Sequence, residues 1–182
     1  MDTTTPSSPG VETISNDSSI GYALRKLGVP FSIDQLKNGQ RKSMEAFLDN
    51  RDAMVILPTG HGKSLIYQSA PYLHDFSRHS SVCSCKEDDH VPTKSIAVIV
   101  SPLIALMKDQ VASLKRSGVT ALYIGETTAE EEVLMKEGRY SLLFSSPEGI
   151  LSARGTRLLT SAVYRNNVCG IFVDESHCIV KW

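Results

Sequence analysis

Short, largely apolar runs punctuate the chain at 53–57, 96–100, 121–124, 141–144 and 168–173. Each is flanked by turn-forming residues and is of strand rather than helix length, so each reads as a buried strand. Helical periodicity fills the intervals. The clearest case is 102–116, where Leu103, Met107, Val111 and Leu114 form one stripe and Lys108, Asp109, Lys115 and Arg116 lie off it. Ser101 reads as its N-cap, Pro102 as its first residue and Gly118 as its stop. Further helical stretches are expected around Ile20–Leu27 (ended by Gly28), from about Gln40 to Leu48, from Ser64 to about Tyr72, and over 127–137. In the last, Thr127 with Glu130 and Thr128 with Glu131 both have the spacing of a capping box. Strands apolar throughout must be covered on both faces. Strand and helix in alternation therefore predict a parallel sheet with helices on both faces, an α/β fold.

With 182 residues, the chain is long enough for one domain with a real core. Nineteen basic residues against twenty acidic ones leave a net charge of −1, which argues against a strongly basic binding face. No apolar run approaches the ~20 residues of a membrane span, so no membrane association is expected. Residues 1–17 are rich in Thr, Ser and Pro and contain no aromatic residue, so they read as a disordered tail before a domain spanning 18–182. The tail also lacks the basic and apolar segments of a signal peptide. The four cysteines are accordingly expected to be free thiols in a reducing compartment. Residues 77–95 are too long and too polar for an ordinary connection and read as a flexible surface insertion. His79, Cys83, Cys85 and His90 fall in it, but Cys-x-Cys is tighter than the usual zinc-ligand gap, and zinc is not expected.

The strongest local signal is Leu57-Pro58-Thr59-Gly60-His61-Gly62-Lys63-Ser64, between a predicted strand and a predicted helix. That is the setting of a phosphate-binding loop. Gly60 and Gly62 let the backbone turn its N–H groups inward as an anion nest. The following helix aims its positive end at the same point. Lys63 supplies charge for the β- and γ-phosphates, and the Ser64 hydroxyl is a ligand for Mg²⁺. Thr59 and His61 complete the nucleotide-facing segment. The bland alternative stays open here: Gly-Lys-Ser/Thr arises by chance in roughly one chain in ten of this length, and Leu57 stands where the strict pattern has Gly.

The run 168–173 ends in Asp174-Glu175. Two carboxylates at the C-terminal end of a buried strand lie where open α/β sheets hold ligands. In an ATPase the first holds magnesium and the second activates water. A merely solvated strand end is the alternative, and it is weakened by the phosphate loop upstream.

Taken in order, these segments resemble the first RecA-like domain of a superfamily 2 helicase of the RecQ family, over about residues 18–182. The stretch 31–40 is similar to the family's motif 0, which implies that Gln40 reads the adenine edge and Lys37 lies near the base; Ile33 stands where an aromatic often stacks. Residues 57–68 resemble motif I, 100–110 motif Ia, 144–148 the Ser-Pro-Glu motif, and 174–182 motif II running into an aromatic-rich loop. The resemblance implies a P-loop NTPase fold using ATP and Mg²⁺. Lys63, Asp174, Glu175 and His177 would be the catalytic residues, and Ser64 and Asp174 would hold the metal. Ser101, Pro102, Ser146, Pro147 and Trp182 would contact DNA.

It implies 3′–5′ unwinding of DNA, with single strands and duplex junctions as partners. The location would be nuclear in a eukaryote and cytoplasmic otherwise. In the family, a motif III strand lies between the phosphate-loop strand and the Asp-Glu strand, and a second RecA-like domain supplies arginine fingers. Both would come after Trp182. A sheet ending at the motif II strand is therefore expected to keep a sticky gap, and the chain alone to be marginally folded and inactive. A non-catalytic nucleotide- or nucleic-acid-binding fragment and an RNA helicase are the alternatives.

Overall fold

The computed structural model describes residues 20, 36–58, 60–80 and 94–177. Its elements are α1 (Asn38–Leu48), α2 (Lys63–Ser80), β1 (Ile96–Val100), α3 (Ile104–Arg116), β2 (Ala121–Tyr123), α4 (Ala129–Lys136), β3 (Leu142–Ser145), α5 (Pro147–Leu151), α6 (Ala153–Thr160), α7 (Ala162–Asn167) and β4 (Val168–Val173). The tail, the helix expected at 20–27 apart from buried, helical Ile20, residues 31–35, Thr59, the 81–93 part of the insertion and 178–182 lie outside the described residues.

The strands form one parallel sheet in the order β2-β3-β1-β4. Central β1 has Val98 opposite Leu143 of β3 on one side and Ile171 of β4 on the other. Alternate residues point to opposite faces. Ala97, Ile99, Leu142 and Phe144 join Met44, Leu73, Met107 and Leu114 in one core, beneath α1, α2 and α3. Ile96, Leu122 and Leu143 join Met135, Leu158 and Tyr164 in a second, beneath α4, α6 and α7. The predicted covering of both faces is thus met at the centre of the sheet.

Local chemistry sets most boundaries. Thr128 caps α4 through a bond from Glu131 N–H, with Glu131 bonding back to Thr128 N–H; of the two capping boxes the sequence allowed, this one forms. Lys115 and Arg116 in the last turn of α3 complement its dipole. Helix α2 runs on to Ser80, beyond the expected end near Tyr72, so 77–80 belong to a helix rather than to the insertion. Its later turns are tied to the start of β1: Ser95 Oγ donates to Asp75 and lies 2.7 Å from His74 Nδ1.

Three expectations are corrected. The run 53–57 is not a strand. It carries no regular secondary structure, with Met54 82% and Ile56 83% exposed and Val55 and Leu57 half-buried. A strand needs a neighbour to take its N–H and C=O groups, and among the described residues none lies beside it. Strand β4 is not fully buried either: Ile171 is 60% and Val173 46% exposed. It pairs with β1 alone among the described strands, leaving its other edge open. Helix α3 starts at Ile104, and Ser101 is not its N-cap; Ser101 Oγ accepts a 3.4 Å bond from Leu103 N–H instead.

Candidate nucleotide-binding site

In a parallel sheet every strand delivers its C-terminal end to one edge. Here β1 delivers Ser101, β3 delivers Ser146-Pro147 and β4 delivers Asp174-Glu175. Backbone bonds hold that edge level: Asp174 N–H donates to Val100 O (2.9 Å) and Ser101 N–H to Ser145 O (3.0 Å).

The segment 60–63 enters α2 through two residues in the left-handed region, Gly60 (φ 77°) and Gly62 (φ 71°). Side chains rarely adopt that conformation, which explains glycine at both positions. The Lys63 ammonium folds back, donating to Leu57 O at 3.4 Å. The loop is braced from α1. Gln40, only 5% exposed, donates through Nε2 to His61 O (3.2 Å) and Gly62 O (3.0 Å), while its Oε1 accepts from Lys37 N–H (2.9 Å). Both amide hydrogens are therefore spent on the loop, and one acceptor lone pair of Oε1 remains. A Cβ on Gly62 would stand 2.4 Å from Gln40 Nε2, so the close approach is a second requirement for glycine there. The side chains of Lys37 and His61 are exposed.

At the acidic end, Asp174 Oδ1 accepts from Glu175 N–H (3.0 Å) and Oδ2 lies 3.3 Å from the Tyr67 hydroxyl. Glu175 has φ 52°, a strained conformation outside glycine that clusters at functional sites. Its Oε2 pairs with His177 Nδ1 at 3.2 Å. Tyr67, from α2, also donates to Gln110 Oε1 of α3 (2.9 Å). Burial foremost, then the Asp174 carboxylate, raise its phenol above the ordinary 10.0, so it keeps its proton. Ser64 lies one turn before Tyr67 on α2 and Asp174 lies at that tyrosine's hydroxyl; these two hard oxygen donors suit Mg²⁺.

The structure brings together Gln40, Gly60, His61, Gly62, Lys63 and Ser64 on one side and Asp174, Glu175 and His177 on the other. Thr59 and Trp182 fall outside the described residues, as do Cys83, Cys85 and His90. Of the residues expected to meet DNA, Ser101 (2% exposed) and Pro147 are buried; they shape the edge and do not face outward. Ser146 caps α5, accepting from Gly149 N–H at 3.1 Å. Tyr67 and Gln110 were not foreseen. Tyr67 lies three residues after Ser64, on the same helical face, but an aromatic there reads as core. Burial foremost pushes the Cys169 thiol up to about 12, favouring its protonated form.

A parallel α/β sheet with a glycine loop entering a helix and paired acids at the same edge defines a P-loop nucleotide-binding protein. Residues 37–182 match the DEAD/DEAH box helicase family, and the chain belongs to it. Among its relatives are RecQ-type ATP-dependent DNA helicases. That of Haemophilus influenzae is 31% identical over 165 residues, 88% of this chain and 23% of that protein. That of Synechocystis sp. is 32% identical over 169 residues, 90% and 30% respectively. The ATP-dependent DNA helicase hus2/rqh1 of Schizosaccharomyces pombe is 28% identical over 160 residues, 84% and 11%. The chain thus spans less than a third of the length of these relatives. The fold also matches the crystal structure of the helicase MrfA bound to DNA and AMPPNP, with TM-score 0.60 and 19% identity over 92% of this chain and 22% of that one. Among the described residues no helix is long and apolar enough to cross a membrane.

Proposed function

We propose that this chain is the nucleotide-binding part of an ATP-dependent DNA helicase of the RecQ type, which hydrolyses ATP to move 3′ to 5′ along single-stranded DNA and open duplex junctions. The observation that carries the reading is the convergence of the braced glycine loop and the Asp174-Glu175 pair on one edge of the sheet.

In this reading, the N–H groups of the 60–64 segment and the N-terminus of α2 hold the phosphates. Lys63 leaves Leu57 O and turns to the β- and γ-oxygens. Gln40 keeps the loop in shape while its remaining lone pair accepts from the adenine amino group, with Lys37 beside the base. Ser64 and Asp174 would hold Mg²⁺, which neutralises charge on the phosphate oxygens when bound. Glu175 takes the proton of the attacking water, and His177 orients its carboxylate. Pro102 and Ser146 offer the DNA-facing edge, supported from behind by Ser101 and Pro147, with Trp182 as a stacking residue. A second RecA-like domain, outside this chain, supplies the arginine that completes hydrolysis and the partner needed for unwinding. A nuclear or cytoplasmic location goes with this activity.

The test is binding of a fluorescent ATP analogue to the chain, and DNA- or RNA-stimulated turnover by the longer protein carrying it. Lys63→Ala should abolish nucleotide binding. Glu175→Gln should keep binding and lose turnover. DNA should stimulate turnover more than RNA. Binding untouched by Lys63→Ala would refute the site, and preferential stimulation by RNA would refute the DNA assignment.

A further inference from the structure

Tyr67 sits where four elements meet. Its ring is 5% exposed, packed edge-on against Phe144 (centroids 6.3 Å apart, planes at 79°) and tilted against Phe172 (6.3 Å, 51°). Those contacts account for an aromatic ring and would be met equally by phenylalanine. The hydroxyl needs its own explanation. It reaches Gln110 Oε1 at 2.9 Å and Asp174 Oδ2 at 3.3 Å.

A phenol has one proton and cannot donate fully to both Gln110 Oε1 and Asp174 Oδ2. Amide oxygen and nitrogen are interchangeable in placement. With the Gln110 amide turned end for end, its N–H donates to the phenol oxygen and the phenol donates to Asp174, so the two contacts no longer compete for one proton. Asp174 Oδ1 is already held by Glu175 N–H. The tyrosine therefore fixes the second oxygen, and with it the plane of the carboxylate.

We propose that Tyr67 is a positioning residue for the Asp174 carboxylate, oriented in turn by Gln110 from α3, and that this hydroxyl sets the metal-dependent part of nucleotide affinity. The proposal rests on the ATP-binding reading above and adds to it a residue that touches neither nucleotide nor metal. Groups that orient a metal ligand from behind typically govern metal affinity by about 10- to 100-fold.

The experiment uses the 182-residue chain and a fluorescent ATP analogue, titrated once with Mg²⁺ and once with EDTA. The readout is the ratio of the two affinities. Tyr67→Phe should leave EDTA affinity within about twofold of wild type and lower the ratio roughly tenfold. In an Asp174→Asn background, Tyr67→Phe should lower the ratio no further, because the carboxylate it orients is gone. Should Tyr67→Phe fail to fold, Gln110→Ala is read in its place and should lower the ratio at least about twofold at unchanged EDTA affinity.

A ratio equal to wild type in the folded variant overturns the proposal. So does an equal loss with and without Asp174. Failure of the underlying reading looks different: wild type then shows no metal-dependent binding, or Lys63→Ala binds as tightly as wild type, and the proposal falls with it.

Discussion

Gly60 and Gly62 share a left-handed backbone but not the same surroundings, so an alanine at each separates two costs. Alanine in that region costs about 1 kcal/mol at either position. At Gly60 nothing lies within 4 Å of the added methyl, so that is the whole cost. At Gly62 the methyl would meet Gln40 Nε2 at 2.4 Å and drive the amide off the His61 and Gly62 carbonyls. Two partly buried hydrogen bonds at about 1 kcal/mol each add roughly 2 kcal/mol. At 1.4 kcal/mol per tenfold, Gly60→Ala should weaken nucleotide binding about fivefold and Gly62→Ala on the order of 100-fold. The assay is titration of a fluorescent ATP analogue, with circular dichroism to verify the fold. Gln40→Ala supplies the control. Once the amide is absent, the excess at Gly62 should vanish and the two alanines should cost the same. Equal losses at the two glycines in the wild-type background would refute the bracing role of Gln40, as would an excess that persists without it.

Other expectations follow from the packing. Tyr164 is fully buried and its hydroxyl donates to Met135 O at 2.7 Å. Tyr164→Phe removes one of the two bonds to that carbonyl and leaves the 2.9 Å bond from Gly138 N–H, costing about 1 kcal/mol, read as a drop of roughly 2–4 °C in Tm; an unchanged Tm would refute it. Arg154 binds Ile124 O, Thr127 and Glu132, joining α6 to the start of α4. The Arg154 hydrogen bond foremost lowers the Glu132 carboxyl below its ordinary 4.5, so this stability is present above about pH 4.5 and is lost as pH falls through the lowered value. Arg154→Met should flatten that acid limb in melts at stepped pH, and an unaltered limb would count against the pair. On the open edge of β4, Ile171→Lys with Val173→Lys should change stability little and suppress self-association, since edge charges block strand pairing. Sedimentation at increasing concentration decides it, and equal self-association in the double variant would refute the sticky edge.

The sequence by itself determined the class of fold. Wholly apolar runs such as 96–100 do not stand without cover on both faces, and helices spaced between them leave a parallel sheet as the arrangement that supplies it. It also marked the loop at 60–64 and the acids at 174–175, because turn-forming glycines before a helix and charge after an apolar run are local signals. What it left open depended on neighbours. The 53–57 run has the composition of a strand but finds no partner edge among the described residues, and hydrogen bonds, not composition, make a strand. The exposure of β4 follows from its place at the margin of the sheet, which its residues do not encode. Ser101 has the chemistry of a cap, yet the chain turns so that its hydroxyl serves Leu103 N–H. The packing of α1 against the loop decided that Gln40 braces a glycine 22 residues away. The meeting of α2, α3 and β4 decided that Tyr67 would answer to Asp174, 107 residues distant. Contacts of that range are properties of the folded chain, because periodicity and local chemistry reach no further than a few turns.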